Sequence, residues 1–322
     1  MAEGNPLGEA LLKLSNVDIR YIQLILLILM IVPLLTPLNL PLPIKPTDQL
    51  FYDRIESYAG IPTAAPIPAA DSWSGTYDRP VVLWNNDIWY GTYGSYKSGM
   101  KVWFEQLMRS DVRLVVSVTS DTYGGECEAT FRRLIAEEVD FTLPWMVDKQ
   151  YGVDWIELGW VPGTAGGANW NLLADDIQTA VTGDLVNGQP ISSYPAFANV
   201  HGIDNFDLGM HMTPGTAAAP TLYWATYGGR TRQQDVMICA GADQEAWSHS
   251  WYMSAQVYTY LAGTPSFAAL EKLVGVPGDA MMSMETISTT GIYWIILILI
   301  GNGAYLYAKR TGREAEQALK RY

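Results

Sequence analysis

Apolar positions along the chain fall into two kinds of run. Residues 21–38 (YIQLILLILMIVPLLTPL) and 287–308 (ISTTGIYWIILILIGNGAYLYA) are long apolar stretches without a charged side chain. Each is near the roughly 20 residues that cross a hydrocarbon core as a helix. They predict two transmembrane helices with some 250 residues between them, about the upper size of a single core. Inside that interval the apolar runs are short and alternate with helical spacing. Strands are predicted at 80–84, 112–118, 154–161, 206–212 and 235–240. Helices are predicted at 95–109, 125–139, 169–181 and 245–261, where apolar residues recur every three to four positions.

Alternating β and α units imply a mostly parallel sheet covered on both faces. Right-handed crossovers then give a doubly wound, Rossmann-like or flavodoxin-like α/β layer. The expected layout is an N-terminal tail (1–20), a first span (21–38) and a Pro-rich linker with an irregular excursion (39–79). An α/β domain (80–285), a second span (287–308) and a basic tail (309–322) follow. Pro37, Pro41, Pro43 and Pro46 read as a stiff extended spacer. Residues 50–79 and 183–205 read as irregular, and no internal repeat is present.

Charge orients this layout. Lys309, Arg310, Arg313, Lys320 and Arg321 outnumber Glu314 and Glu316 in the last tail, while Lys13 and Arg20 stand in the first. Basic residues are retained on the cytoplasmic side, so both tails are expected there, with the main domain periplasmic or extracellular. Residues 21–308, the interval between the tails, carry about −15, against −13 for the whole chain. An acidic outer domain repels phosphate backbones, which argues against nucleic acid as a partner. The first span lacks a small-x-small cleavage pattern and reads as an uncleaved anchor. Pro33 lies within it; a proline there can kink a helix, and neighbouring groups in a bundle can satisfy the carbonyl that it frees.

The second span carries Gly291, Gly301 and Gly303, small enough for close helix approach, and the polar Asn302. Asn302 either seeks a partner within the membrane or reaches interfacial water. The chain has 12 Trp, and Trp247 and Trp251 crowd the predicted helix 245–261. Aromatic residues on several faces suit a core element or a subunit contact. These six residues are the candidate interface. Of the two cysteines, Cys127 and Cys239, the pattern leaves open a disulfide or two small buried hydrophobes.

Ligands of an open α/β sheet sit beyond the carboxyl ends of its strands. Those ends carry Asn85, Asn86 and Asp87; Thr119, Ser120 and Asp121; Pro162, Gly163 and Thr164; Thr213 and Pro214; and Gly241 and Asp243. Such small polar residues can hold a sugar, an amino acid or an anion, and they equally suit helix caps and turns. Gly163, Gly166, Gly167 and Asn169 form a Gly-rich turn that is neither GxGxxG nor a P-loop, so no dinucleotide or other cofactor is expected. His201, Asp204, Asp207 and His211 offer metal-ligand types in HGIDNFDLGMH, but the spacing fits no zinc motif, and no metal is expected.

Ser117, Ser120 and Ser248 lie outside any G-x-S-x-G, and His249 completes no evident triad. Glu137–Glu138 and Asp175–Asp176 are adjacent on helices, point about 100° apart and read as solvated surface. Acidic neighbours are expected to raise the Cys127 thiol. The sequence therefore leads to a non-enzymatic membrane-anchored subunit of an oligomeric membrane complex, built with copies of itself or with other membrane subunits. The alternative is an extracytoplasmic small-ligand sensor or capture module, and the third reading is an outer-face hydrolase.

Overall fold

The computed structural model describes residues 6–59, 79–120, 122–161, 173–215, 228–229 and 233–312. It divides into an α/β unit, Leu42–Ala280, and a helical unit formed by the chain up to Pro41 together with the chain from Met281 onward.

The α/β unit is built on six strands: β1 (Val81–Asn86), β2 (Arg113–Val118), β3 (Trp155–Trp160), β4 (Leu208–Met212), β5 (Val236–Ala240) and β6 (Thr259–Ala262). All pair in parallel, in the order β3-β2-β1-β4-β5-β6. This is the Rossmann-like order, with its reversal between β1 and β4. The strands are buried on both faces apart from Trp160 at the end of β3. That burial explains why they read as continuous apolar runs.

One face packs against α3 (Pro46–Glu56), α4 (Tyr90–Arg109), α5 (Gly124–Arg133) and α7 (Gly263–Val274). Its centre is aromatic. Trp84 meets Trp103 at 5.5 Å and Phe131 edge-on at 5.4 Å, and Phe51 stacks on Trp103 at 5.0 Å. On the other face Val81, Leu83, Val115, Ile156, Val236 and Ile238 pack against Ile177, Ile191, Phe197, Val200 and Ile203. This cover is largely irregular chain with short helical turns at Ile177–Ala180, Ile191–Ser193 and Ile203–Asn205. Trp251 and Tyr252 of α6 (Glu245–Met253) complete it.

Four elements differ from the sequence reading. The helix expected at 169–181 is, among the described residues, interrupted at Asp176 and ends in the short turn Ile177–Ala180. The helix expected at 245–261 stops at Met253, and Thr259–Ala262 is instead the edge strand β6. Ala255, at φ 54, turns the chain between them. The Pro-rich spacer gives way to α3, whose Pro46 takes the first helical position, where its missing N–H costs nothing. This helix packs beside β6, and Thr259 Oγ1 donates to Thr47 O at 2.8 Å, so the edge strand is covered. The helix expected at 125–139 is α5 followed by a π-helical turn, Leu134–Glu138, closed by Val139 N–H to Leu134 O at 3.1 Å. Two glycines are required by geometry. Gly263 (φ +64) turns β6 directly into α7, where a Cβ would stand 2.8 Å from Ala242 N. Gly159 (φ +76) adjoins the register shift between β2 and β3.

The helical unit contains α1 (Pro6–Ser15), α2 (Ile19–Leu35) and most of α8 (Asp279–Thr311). By length and composition α8 can cross a membrane, and α1 with α2 forms a second candidate, bent by 85° at a short break. Pro33 of α2 is buried and cannot donate to Leu29 O. Thr289 Oγ1 of α8 stands 3.1 Å from that carbonyl and can supply the donor. Tyr293 Oη donates to Ile22 O at 3.0 Å. Buried Glu285 accepts from Leu38 N at 2.7 Å and Leu40 N at 3.0 Å, holding the chain that leaves α2.

Candidate functional site

The parallel register sets Ser117, Asn85 and His211 side by side on β2, β1 and β4, at the carboxyl end of the sheet where strand order reverses. All three are fully buried. Asn85 Nδ2 lies 2.7 Å from His211 Nδ1, and Ser117 Oγ donates to Asn85 Oδ1 at 3.3 Å. An amide N–H donating to Nδ1 requires that nitrogen to keep its lone pair, so the ring is neutral with its proton on Nε2. Burial pushes His211 down to about 3, consistent with a neutral ring.

Asp87 follows β1 and is also buried. Its Oδ1 accepts from Thr119 N at 2.9 Å, and Thr119 Oγ1 lies 3.1 Å from Oδ2. Asn85 and the Ser120 backbone also hydrogen-bond to it. Burial outweighs these donors and pushes Asp87 up to about 6. Asn86 faces the opposite side, donating to Cys127 O at 3.2 Å. Cys127 and Cys239 are both buried free thiols. Burial first, then Asp87 and Glu126, pushes the Cys127 thiol upward, so burial outranks the acidic neighbours named from sequence.

Two further candidates line the rim. Ser120, half-buried, accepts from Tyr123 N at 3.3 Å. Exposed Asp243 accepts from Gln244 Nε2 at 2.8 Å. Tyr96, absent from the sequence-based set, reaches the same edge and donates to Thr213 O at 3.3 Å. Asp121, Gly163, Gly166, Gly167 and Asn169 lie outside the described residues. The site is thus a compact polar row whose members mostly bond one another. Ser117 faces an amide rather than an imidazole, so the row is not arranged as a nucleophile and its base.

The other candidates disperse. His201 stands 3.6 Å from Asp176, and His249 lies 3.2 Å from Tyr260 Oη, so the three histidines sit in separate surroundings. Glu137 and Glu138 pair with Arg133 and Lys97, and Asp176 caps Gln178 N, in keeping with surface roles. Trp251 packs on the core while Trp247 is 58% exposed on α6. On α8, Gly291 and Asn302 are exposed, and Gly303 faces Leu11 of α1. A cavity of about 580 Å³ opens at the opposite edge of the sheet, lined by Gln233, Asp235, Tyr252, Gln256 and Tyr258. Asp235 there is held by Arg54 at 2.7 Å.

No protein-family model, curated protein or solved structure matches this chain. The class is therefore carried by topology: a Rossmann-like α/β unit joined to a unit of apolar helices.

Proposed function

We propose that the chain is a non-enzymatic, membrane-anchored subunit of an oligomeric membrane complex, with its α/β unit serving as an assembly module on the outer side. In this reading α2 and α8 both cross the membrane and both tails lie in the cytoplasm. The observation that carries it is the helical unit. Apolar segments from opposite ends of the chain are joined by polar bonds from Thr289, Tyr293 and Glu285. Their outer surface remains apolar and exposed, including Leu24 at 53%, Ile295 at 59% and Leu299 at 65%, which suits lipid or other helices. Exposed Trp247 on α6 supports a subunit contact in the α/β unit.

Mass in mild detergent, measured by light scattering across a concentration series, tests the assembly. A multiple of the 35.6 kDa chain, or a stable complex with other subunits, is expected; a clean monomer throughout overturns it. Protease added outside sealed spheroplasts is expected to digest the α/β unit and spare both tails.

One observation favours a second reading, an extracytoplasmic ligand module: Asp87, Asn85 and His211 gather at the strand-order reversal, where ligands of this fold sit. A thermal-shift screen of sugars, amino acids and anions on the full chain tests it. A specific shift abolished by Asp87→Ala supports this reading, and no shift from any of the three classes counts against it.

A further inference from the structure

We propose that α1 is an interfacial helix, lying along the lipid headgroup boundary at the end of the membrane anchor. The inference rests on the reading of α2 and α8 as spans. The axis of α1 turns 85° from that of α2 within a short break. If α2 crosses the bilayer, α1 lies nearly in its plane. Its sequence suits that position. At 100° per residue, Leu7, Leu14 and Ala10 share one side, while Glu9 and Lys13 lie on the other. Leu7 is 67% exposed and Leu14 51% exposed. A short helix with one solvent-exposed leucine side and one charged side is what a headgroup–acyl boundary accommodates.

The remaining side of α1 fixes its depth. Gly8 is buried against the ring of Tyr307, whose Oη donates to Glu9 Oε1 at 3.2 Å. A Cβ at Gly303 would stand 3.1 Å from Leu11 Cδ1. The small residues at both points admit the crossing helix. Thus α1 meets α8 along Gly303 and Tyr307, just before Lys309 and Arg310 in its last turn. Lysine and arginine at that level meet the headgroups. The occupant of the leucine side is therefore lipid. Asn302, next to Gly303, then lies at interfacial depth, where water can satisfy its exposed amide. Of the two readings open from sequence, this favours the interfacial one.

The test uses the full chain in vesicles of zwitterionic and anionic phospholipid at 3:1, spin-labelled at single introduced cysteines: Leu7→Cys, Leu14→Cys, Lys13→Cys, Ile28→Cys and Ile295→Cys. The parent chain, labelled in parallel, measures any contribution from buried Cys127 and Cys239. Relaxation by oxygen reports lipid, and relaxation by a soluble nickel chelate reports water. The oxygen-to-nickel ratio at Leu7 and Leu14 is expected to exceed that at Lys13 by at least about threefold. Ratios at Leu7 and Leu14 equal to that at Lys13, with Ile28 and Ile295 lipid-like, overturn the inference and leave the spans standing. Aqueous ratios at Ile28 and Ile295 overturn the spans themselves. Spin–spin broadening at Leu7 that disappears on dilution with unlabelled chain assigns the leucine side to a second copy and also overturns the inference.

Discussion

The two edges of the sheet bury polar groups by opposite means. At the amino edge the chain uses full charges. Arg79 pairs with Asp154 at 2.7 Å, with both side chains under 5% exposed. Lys149 joins Asp111 at 2.7 Å and Asp154 at 3.4 Å, while Arg113 donates to Arg79 O at 2.8 Å. At the carboxyl edge Ser117, Asn85, His211, Thr119 and Asp87 bond one another mainly as neutral groups. A buried charge is tolerable when an opposite charge touches it. Without that contact, burial favours neutrality, and Asp87 rises to about 6 while His211 falls to about 3. The amino edge is a lock, whereas the carboxyl edge responds to protons in the acid range.

Breaking the lock carries the largest expected effect. Asp154→Ala removes the carboxylate shared by Arg79 and Lys149 and leaves Gln150 N without its acceptor. Breaking one side of a buried pair costs about 3–5 kcal/mol. Asp111 holds part of Arg79 at 3.1 Å, so about 3 kcal/mol is expected, read from urea midpoints of the full chain in detergent. Asp111→Asn gives the contrast. That carboxylate is 42% exposed, and its loss is expected to cost less than about 1 kcal/mol. Equal losses at the two positions would erase the distinction between buried lock and surface pair.

The carboxyl edge is tested by pH. For Asp87, between the ordinary 3.8 and about 6 the folded chain keeps a proton that the unfolded chain has released. Its stabilising share is full below 3.8 and is lost as pH rises through about 6. For His211, between about 3 and 6.5 the unfolded chain is protonated and the folded chain is not. That share is full above 6.5 and is lost as pH falls toward about 3. The slopes oppose each other where the windows overlap. Asp87→Asn removes one and leaves the other. On acidification from pH 6 to 4 the variant is expected to lose about 2 kcal/mol more than the parent. Parallel profiles would show that Asp87 titrates no differently folded than unfolded.

These edges were unequally legible in the sequence. β1, β2 and β5 stood out because strands buried on both faces are nearly continuous apolar runs, and their polar ends marked Asn85, Asn86, Asp87 and Ser120. The partnership of Asn85 with His211 spans 126 residues and depends on register, which local periodicity does not encode. β6 stayed hidden because Thr259–Ala262 continues the aromatic helical spacing of α6, and the break falls at Ala255, which carries no turn signature. α3 was masked by proline density, since Pro46 opens a helix while Pro41 and Pro43 precede it in extended chain. In the helical unit apolar length gave the segments, and Pro33 foretold a donor without naming Thr289.

The finest probe of the carboxyl edge is Ser117→Ala. The hydroxyl supplies one bond, to Asn85 Oδ1 at 3.3 Å, while Asn85 keeps its contact with His211 on the other side of the amide. A typical neutral hydrogen bond contributes about 1 kcal/mol net, and an unmet buried acceptor adds to the loss. A cost of about 1–2 kcal/mol is therefore expected at pH 7, well below that of Asp154→Ala. Ser117 carries no charge and adjoins neither titrating atom directly, so the pH slope should match the parent. A slope altered as strongly as in Asp87→Asn would mean that the Ser117 hydroxyl sets the proton affinity of Asp87 or His211 through the Asn85 amide, and that the row titrates as one coupled unit.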